Sequence, residues 1–198
     1  MQSAVPIVGL TGGMGAGKST ALEILRRLGA AVLSTDAVVH ELLASEPVRA
    51  AVVERFGESV APGGVVDRAS VAAEAFASDD GRTWLEGFLW PLVGEQADAW
   101  IREVRRRSPA PRAAVIEVPL LFESGLTAAY DATIAVISDE PVRRERAAGR
   151  GHVLADERSS RQLSQEEKAR MATFAVRNDG TREDLERELS AVLDKLAR

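Results

Sequence analysis

The stretch "GLTGGMGAGKST", residues 9–20, decides how this chain is read. Gly12, four residues, Gly17, Lys18 and Ser19 satisfy the pattern G-x-x-x-x-G-K-[ST] at every position. The flanks agree with it. "AVPIVGL" (4–10) reads as a buried strand with Pro6 near its start, and Ala21, Leu22, Ile24, Leu25 and Leu28 recur at helical spacing up to Gly29. In such a strand–loop–helix, glycines let consecutive backbone N–H groups point inward, and the helix adds its positive N-terminal end. The loop is therefore expected to hold a nucleoside triphosphate. Lys18 would reach the β- and γ-phosphates, and the Ser19 hydroxyl would ligate Mg²⁺.

Strands and helices alternate outward from that motif. "AAVLS" (30–34), "AAVIEV" (113–118), "ATIAVI" (132–137) and "TFAVRN" (173–178) read as further short, buried strands. Between the second and third strands runs a long stretch, 36–107, whose pieces read as helices. These are "DAVVHELLAS", "EPVRAAVVERF", "DRASVAAEAFAS" and a final segment from Asp79, interrupted at Pro91. "REDLERELSAVLDKL" is an amphipathic helix with Leu185, Leu189, Val192, Leu193 and Leu196 on one face. This alternation predicts an α/β fold with a parallel sheet flanked by helices. The chain reads as one domain: a core over residues 1–35 and 112–198, a helical insert over 36–111, and an arginine-rich, lid-like stretch over 143–172.

Composition narrows the chemistry. The chain has 198 residues, 45% hydrophobic and 28% charged, with a formal net charge of -5. An acidic balance argues against a general nucleic-acid binder. The absence of cysteine excludes disulfides, thiolate metal sites and cysteine nucleophiles. His40 and His152 lie far apart with no metal-ligand spacing. No signal-peptide pattern or apolar stretch of membrane-spanning length appears, so a cytoplasmic location and no membrane partner are expected. There are three lysines (Lys18, Lys168 and Lys195) against 22 arginines. In a chain that hardly uses lysine, Lys18 is unlike a surface decoration.

A triphosphate loop alone leaves the reaction open, because kinases, switches and ATPases share it. No guanine-reading N-K-x-D motif is present. A kinase for a small hydroxyl compound is the favoured class, with a regulatory ATPase behind it. Such a kinase needs a carboxylate to orient the acceptor hydroxyl and take its proton. Asp36, just after the second strand, has that position; its other reading is an N-cap for a helix starting at Ala37. Glu117, at the end of the third strand, is read either as a group acting on Mg²⁺ or as a buried structural acid. Arg146 and Arg150 share a helical face at i, i+4, either to meet phosphate oxygens or as a solvated face. The run Arg105, Arg106 and Arg107 reads as a solvated helix end.

Taken together, these residues resemble the dephospho-CoA kinase family. The likeness is carried by "GLTGGMGAGKST", "VLSTD", "FGESV", "GGVVDRASVAAEAF", "WLEGFLWPLV", "VPLLFESGL", "RAAGR", "RSSRQ", "EEKARMA" and "RNDG". The resemblance implies a five-stranded P-loop fold and transfer of the ATP γ-phosphate to the ribose 3′-hydroxyl of dephospho-CoA, with Mg²⁺. Asp36 would then be the acceptor-activating carboxylate, with Lys18 and Arg146 acting on the transferred phosphate. Gly13, Met14, Gly15, Ala16, Gly17, Lys18, Ser19 and Thr20 would hold ATP, together with Arg150 and with Asn178 and Gly180 near the adenine. The acceptor side would take in Thr11, Asp36, His40, Leu120, Leu121 and Glu123, and the 36–111 insert would hold the CoA portion. Ser19 and Glu117 are the expected metal-side residues. The sequence departs from the family pattern at Ser34, usually an acid, His40, usually arginine, Trp90, usually histidine, and Thr173, usually aspartate. Trp90 is expected in the core.

Overall fold

The computed structural model of the chain describes residues 5–140, 142 and 162–197. The described chain falls into two compact units. One takes the residues up to Ser34 and those from Ile101 onward, and the other is Thr35–Trp100. Residues 101–111, assigned to the insert on sequence, group with the first unit.

The first unit is built on five strands: β1 (Ile7–Gly12), β2 (Ala31–Ser34), β3 (Ala114–Glu117), β4 (Ala132–Ile137) and β5 (Phe174–Arg177). All pairings are parallel, and the spatial order is β2-β3-β1-β4-β5. Every residue of β3 is buried, as are five of six in β1 and in β4. Continuous apolar runs such as "AVIE" and "ATIAVI" form central strands because both of their faces are covered. Among the described residues β1 begins at Ile7 and not at Val5, because Pro6 has no N–H to give a ladder, and Ala4 lies outside the described residues. It runs on to Gly12 because Thr11 and Gly12 still pair with Ala135 and Val136.

Helix α1 (Lys18–Arg27) and the last helix cover the sheet. Ala21, Leu22, Ile24 and Leu25 meet Leu185, Leu189, Val192 and Leu193 in one cluster with Val8, Leu10, Val115, Ile134 and Val136. Each fully buried leucine there contributes roughly 1.5–3 kcal/mol by leaving water. β1 is the middle strand. Its connection runs to β2 on one side, while β4 continues to β5 on the other. Its carboxyl end is thus a topological switch point, where α/β folds place ligands.

The second unit is helical: α2 (Thr35–Ala44), α3 (Glu46–Phe56), α4 (Arg68–Phe76) and most of α5 (Asp79–Val104). Leu43, Val48, Val52, Val60, Val71 and Leu89 form its core. Trp84 adds its ring edge-on to Phe56 (centroids 5.4 Å apart) and stacked on Phe88 (5.1 Å).

Two expectations are corrected in α5. Pro91 does not interrupt it; the helix is continuous from Asp79 to Val104. Proline removes one hydrogen bond, to Gly87 four residues back, but both residues are exposed, so water can satisfy the freed carbonyl. Apolar contacts on either side of it, from Trp84 to Leu92, keep the helix in place. Trp90 is not in the core but 51% exposed. It follows Phe88 by two residues, about 200° round the helix, so the face that buries Trp84 and Phe88 turns Trp90 outward. Among the described residues, no helix is long and apolar enough to cross a membrane.

Candidate active site

The loop between β1 and α1 is held by backbone requirements. Gly17 precedes α1 with φ 94° and Gly15 has φ 74°, both in the region glycine adopts without steric cost. At Gly12 a Cβ would run into the carbonyl oxygen of Val136 on β4, so only glycine lets the two strands close there. The Ala16 N–H donates to the Gly13 carbonyl (3.2 Å), and the Ala21 N–H to Gly17 (3.0 Å), closing the loop onto the helix. The Lys18 side chain curls back over the loop. Its Nζ donates to the carbonyls of Gly12 (3.0 Å) and Gly13 (3.2 Å), which hold the ammonium near the loop it would serve. Ser19 is exposed in the first turn of α1, with Thr20 half-buried beside it. Backbone N–H groups of a glycine loop, the helix end and one cation together suit a polyphosphate.

A hydrogen-bond chain ties this loop to the far side of the sheet. Asn178, at the end of β5 and buried, donates its side-chain amide to the Ala16 carbonyl at 2.8 Å. Its own carbonyl accepts the Ser138 hydroxyl (3.2 Å), and its N–H donates to Ile137 (2.8 Å). Ser138 is gripped in turn by Gln165, which accepts from the Ser138 N–H (3.0 Å) and donates to its carbonyl (2.5 Å). Gln165 opens helix α6 (Gln165–Met171). Gly180 leaves room for the Asp184 carboxylate, whose Oδ2 a Cβ would approach to 2.7 Å. That carboxylate accepts from the N–H and hydroxyl of Thr181 at the start of α7 (Arg182–Leu196).

A cavity of about 310 Å³ is lined by Gly13 and Met14 of the loop, Ser138 to Glu140, and Gln162 to Glu166. Among the described residues that line it, Asp139, Glu140 and Glu166 are acidic. Nearby, burial pushes the Asp179 carboxyl up. The Asp139 N–H, the Ser138 hydroxyl and the Arg177 guanidinium outweigh it and hold the group below the usual carboxylate range.

On the opposite side of β1, the segment after β3 is zipped to the same strand. The Val118 N–H donates to Leu10 (2.8 Å), and the Thr11 hydroxyl to the Pro119 carbonyl (3.1 Å). Thr11 is fully buried. Glu117 is buried at the end of β3, in register with Leu10 on one side and Ser34 on the other. Of the two leucines expected on this side, Leu121 is fully buried against Gly9, which makes it a packing residue. Leu120 is half-buried. Glu123 Oε1 accepts the Leu163 N–H at 2.8 Å and lies 3.0 Å from the buried Lys168 ammonium.

In the other unit, Asp36 is the second residue of α2, because the helix starts at Thr35 and not at Ala37. It is therefore not the N-cap; its charge lies in the first turn, near the positive helix end. His40 is exposed four residues on, on the same face. Arg146 and Arg150 lie outside the described residues. Sequence reasoning missed Ser138, Gln165 and Lys168. The scarcity of lysine, already used for Lys18, was the available signal for Lys168; Ser138 and Gln165 carried none.

An all-parallel sheet of this order, with a glycine loop and lysine at the end of its middle strand, defines a P-loop phosphotransferase fold. The sequence pattern of the family described as dephospho-CoA kinase matches residues 6–184, and the chain belongs to that family. The dephospho-CoA kinase of Deinococcus radiodurans is 37% identical over 192 residues, 96% of this chain and 91% of that one. The crystal structure of a Thermus thermophilus protein, TT1252, superposes with a TM-score of 0.81 at 31% identity, covering 98% of this chain and 99% of that one. A dephospho-CoA kinase from Campylobacter jejuni, 20% identical, shares the fold, with a TM-score of 0.64 and 98% of each chain covered.

Proposed function

We propose that this chain is an ATP-dependent kinase that phosphorylates the ribose 3′-hydroxyl of dephospho-CoA, giving CoA and ADP. The observation that carries this is family membership across residues 6–184 on a chain whose phosphate loop is intact in geometry. The backbone N–H groups from Gly13 to Thr20 bind the β- and γ-phosphates, with Lys18 as their counter-charge. The acceptor oxygen attacks the γ-phosphorus, the bond to the β–γ bridging oxygen breaks, and Asp36 takes the hydroxyl proton. The transition state is loose, so positioning and charge stabilisation supply most of the rate. Arg146 and Arg150 add positive charge to the transferring group and to ATP, as the family resemblance implies.

Mg²⁺ belongs to this reading as a partner of the triphosphate. Among the described residues, no group of three or more His, Asp or Glu side chains is arranged to hold a metal ion. That suits an ion carried mainly by phosphate and water, with Ser19 and Glu117 as the protein donors. When bound, it neutralises charge on the β- and γ-phosphate oxygens. The helical unit Thr35–Trp100 would take the CoA portion, His40 a neighbouring anionic group, and Leu120 an apolar part of the acceptor. Asn178 would act on the nucleotide side by holding the loop through Ala16, with Gly180 in the same turn. We place this activity in the cytoplasm.

The test is ADP release from ATP measured with dephospho-CoA, with a panel of other hydroxyl acceptors, and with none. Release that depends on dephospho-CoA is expected. Acceptor-independent hydrolysis would point to a regulatory ATPase, and a preference for another acceptor to a different small-molecule kinase.

A further inference from the structure

Lys168 is fully buried, in the middle of α6, in a chain that has two other lysines. Its Nζ donates to the Pro119 carbonyl at 2.9 Å and lies 3.0 Å from Glu123 Oε1. These two partners are the first and last residues of the turn "PLLFE", 119–123, so one ammonium holds both ends of it. The turn closes on itself through the Ser124 N–H to the Leu120 carbonyl (3.0 Å). The Pro119 carbonyl also accepts the Thr11 hydroxyl at 3.1 Å, and Thr11 immediately precedes Gly12, the first glycine of the phosphate loop. Glu123 Oε1 accepts the Leu163 N–H as well, while Oε2 is buried with no hydrogen-bond partner among the described residues.

This is an expensive way to fill space. Taking an ammonium and a carboxylate out of water costs several kcal/mol per ion, and apolar residues of similar volume are often as stable or more so. What the ions add is direction: an ammonium fixes a carbonyl and a carboxylate at set distances, which a methyl group cannot do. We propose that Lys168 is a positioning residue for the phosphoryl acceptor. It clamps the 119–123 turn, which carries the half-buried Leu120, in register with the root of the phosphate loop. This rests on the reading of dephospho-CoA as acceptor.

The experiment is a double-mutant cycle of Lys168→Met, Glu123→Gln and the pair. KM and calorimetric Kd are measured for dephospho-CoA and for ATP, with a thermal melt of each variant. Lys168→Met should raise KM and Kd for dephospho-CoA at least about tenfold and leave Kd for ATP within about twofold. The pair should be no worse for the acceptor than Lys168→Met alone, because the two residues act as one device. It should also recover melting temperature, because the uncompensated carboxylate is gone. If Lys168→Met does not fold, the pair carries the comparison with the unmodified chain. A folded pair with acceptor KM within twofold of the unmodified chain overturns the proposal. So do additive effects of the two substitutions, and so does a parallel loss of ATP and acceptor affinity, which would mark general loosening. If the unmodified chain binds no dephospho-CoA, it is the acceptor reading that fails.

Discussion

The phosphate loop and the helical unit Thr35–Trp100 are built by opposite means. The loop is specified by backbone: glycines at Gly12, Gly15 and Gly17, carbonyls that hold Lys18, and an amide from Asn178 on Ala16. Few other sequences can take that path, so the pattern is narrow and its chemistry follows from it. The helical unit is specified by apolar side chains that fill a core, Leu43 to Leu89 around Trp84. Many sequences meet that requirement, and nothing in it names a ligand. Donor recognition is therefore expected to survive changes that abolish acceptor chemistry, but not the reverse.

The largest effect tests that asymmetry directly. Asp36→Asn should reduce kcat by ~10²–10⁴, the usual scale for loss of a general base, while ATP affinity measured by titration stays unchanged. Near-normal turnover would remove Asp36 from the acceptor's chemistry. Its counterpart is Lys18→Ala, which should reduce turnover by ~10²–10³, the scale of losing one preorganised charge donor. This variant should weaken ATP binding too. A Lys18 variant with unchanged ATP affinity would break the comparison from the donor side.

A smaller effect is expected at Asn178→Ala. The Ala16 carbonyl loses its buried donor, a loss of about 1–3 kcal/mol in unfolding free energy. For a domain of this size that lowers Tm by about 2–4 °C per kcal/mol. ATP binding should weaken with it, because the loop carbonyl is released, whereas dephospho-CoA binding should hold. A lower Tm with unchanged ATP affinity would reduce Asn178 to a structural tie.

The same contrast explains what the sequence made legible. The motif at residues 9–20, five apolar strand runs and the spacing of Leu185, Leu189, Val192 and Leu193 were readable because each follows from local geometry or periodicity. The end of β1 was misjudged because Thr11 and Gly12 belong to the strand only through pairing with β4. Trp90 and Pro91 were misread because residue type alone does not say which way a helix face turns. The ties of Gln165 to Ser138 and of Asn178 to Ala16 span 27 and 162 residues, and no window along the chain contains them. Lys168 was hidden for the same reason: Pro119, 49 positions away, is its neighbour only in the fold.

The smallest effect concerns helix starts in both units, read by acid titration. Asp184 is held below its ordinary 3.8 by the Thr181 N–H, then the Thr181 hydroxyl and Arg187. Glu167 is held below 4.5 by the Ser164 N–H and hydroxyl. Asp67 is held below 3.8 by the Ser70 hydroxyl and N–H at the start of α4. Each carboxylate is favoured as the anion in the folded chain. Its contribution is therefore fully present above the unfolded value and lost as pH falls through the lower folded one. Melts taken from pH 7 down to pH 3 should show Tm falling at the acid end. Asp184→Ala should start lower at pH 7, because the Thr181 N–H and hydroxyl lose their acceptor. It should then lose less than the unmodified chain on acidification, because the anion that would be titrated is already gone. Asp67→Ala should behave the same way in the helical unit, where a side-chain cap, not a loop, fixes the helix start. Parallel acid curves for the unmodified chain and both variants would show that these caps order the helix ends without adding pH-dependent stability.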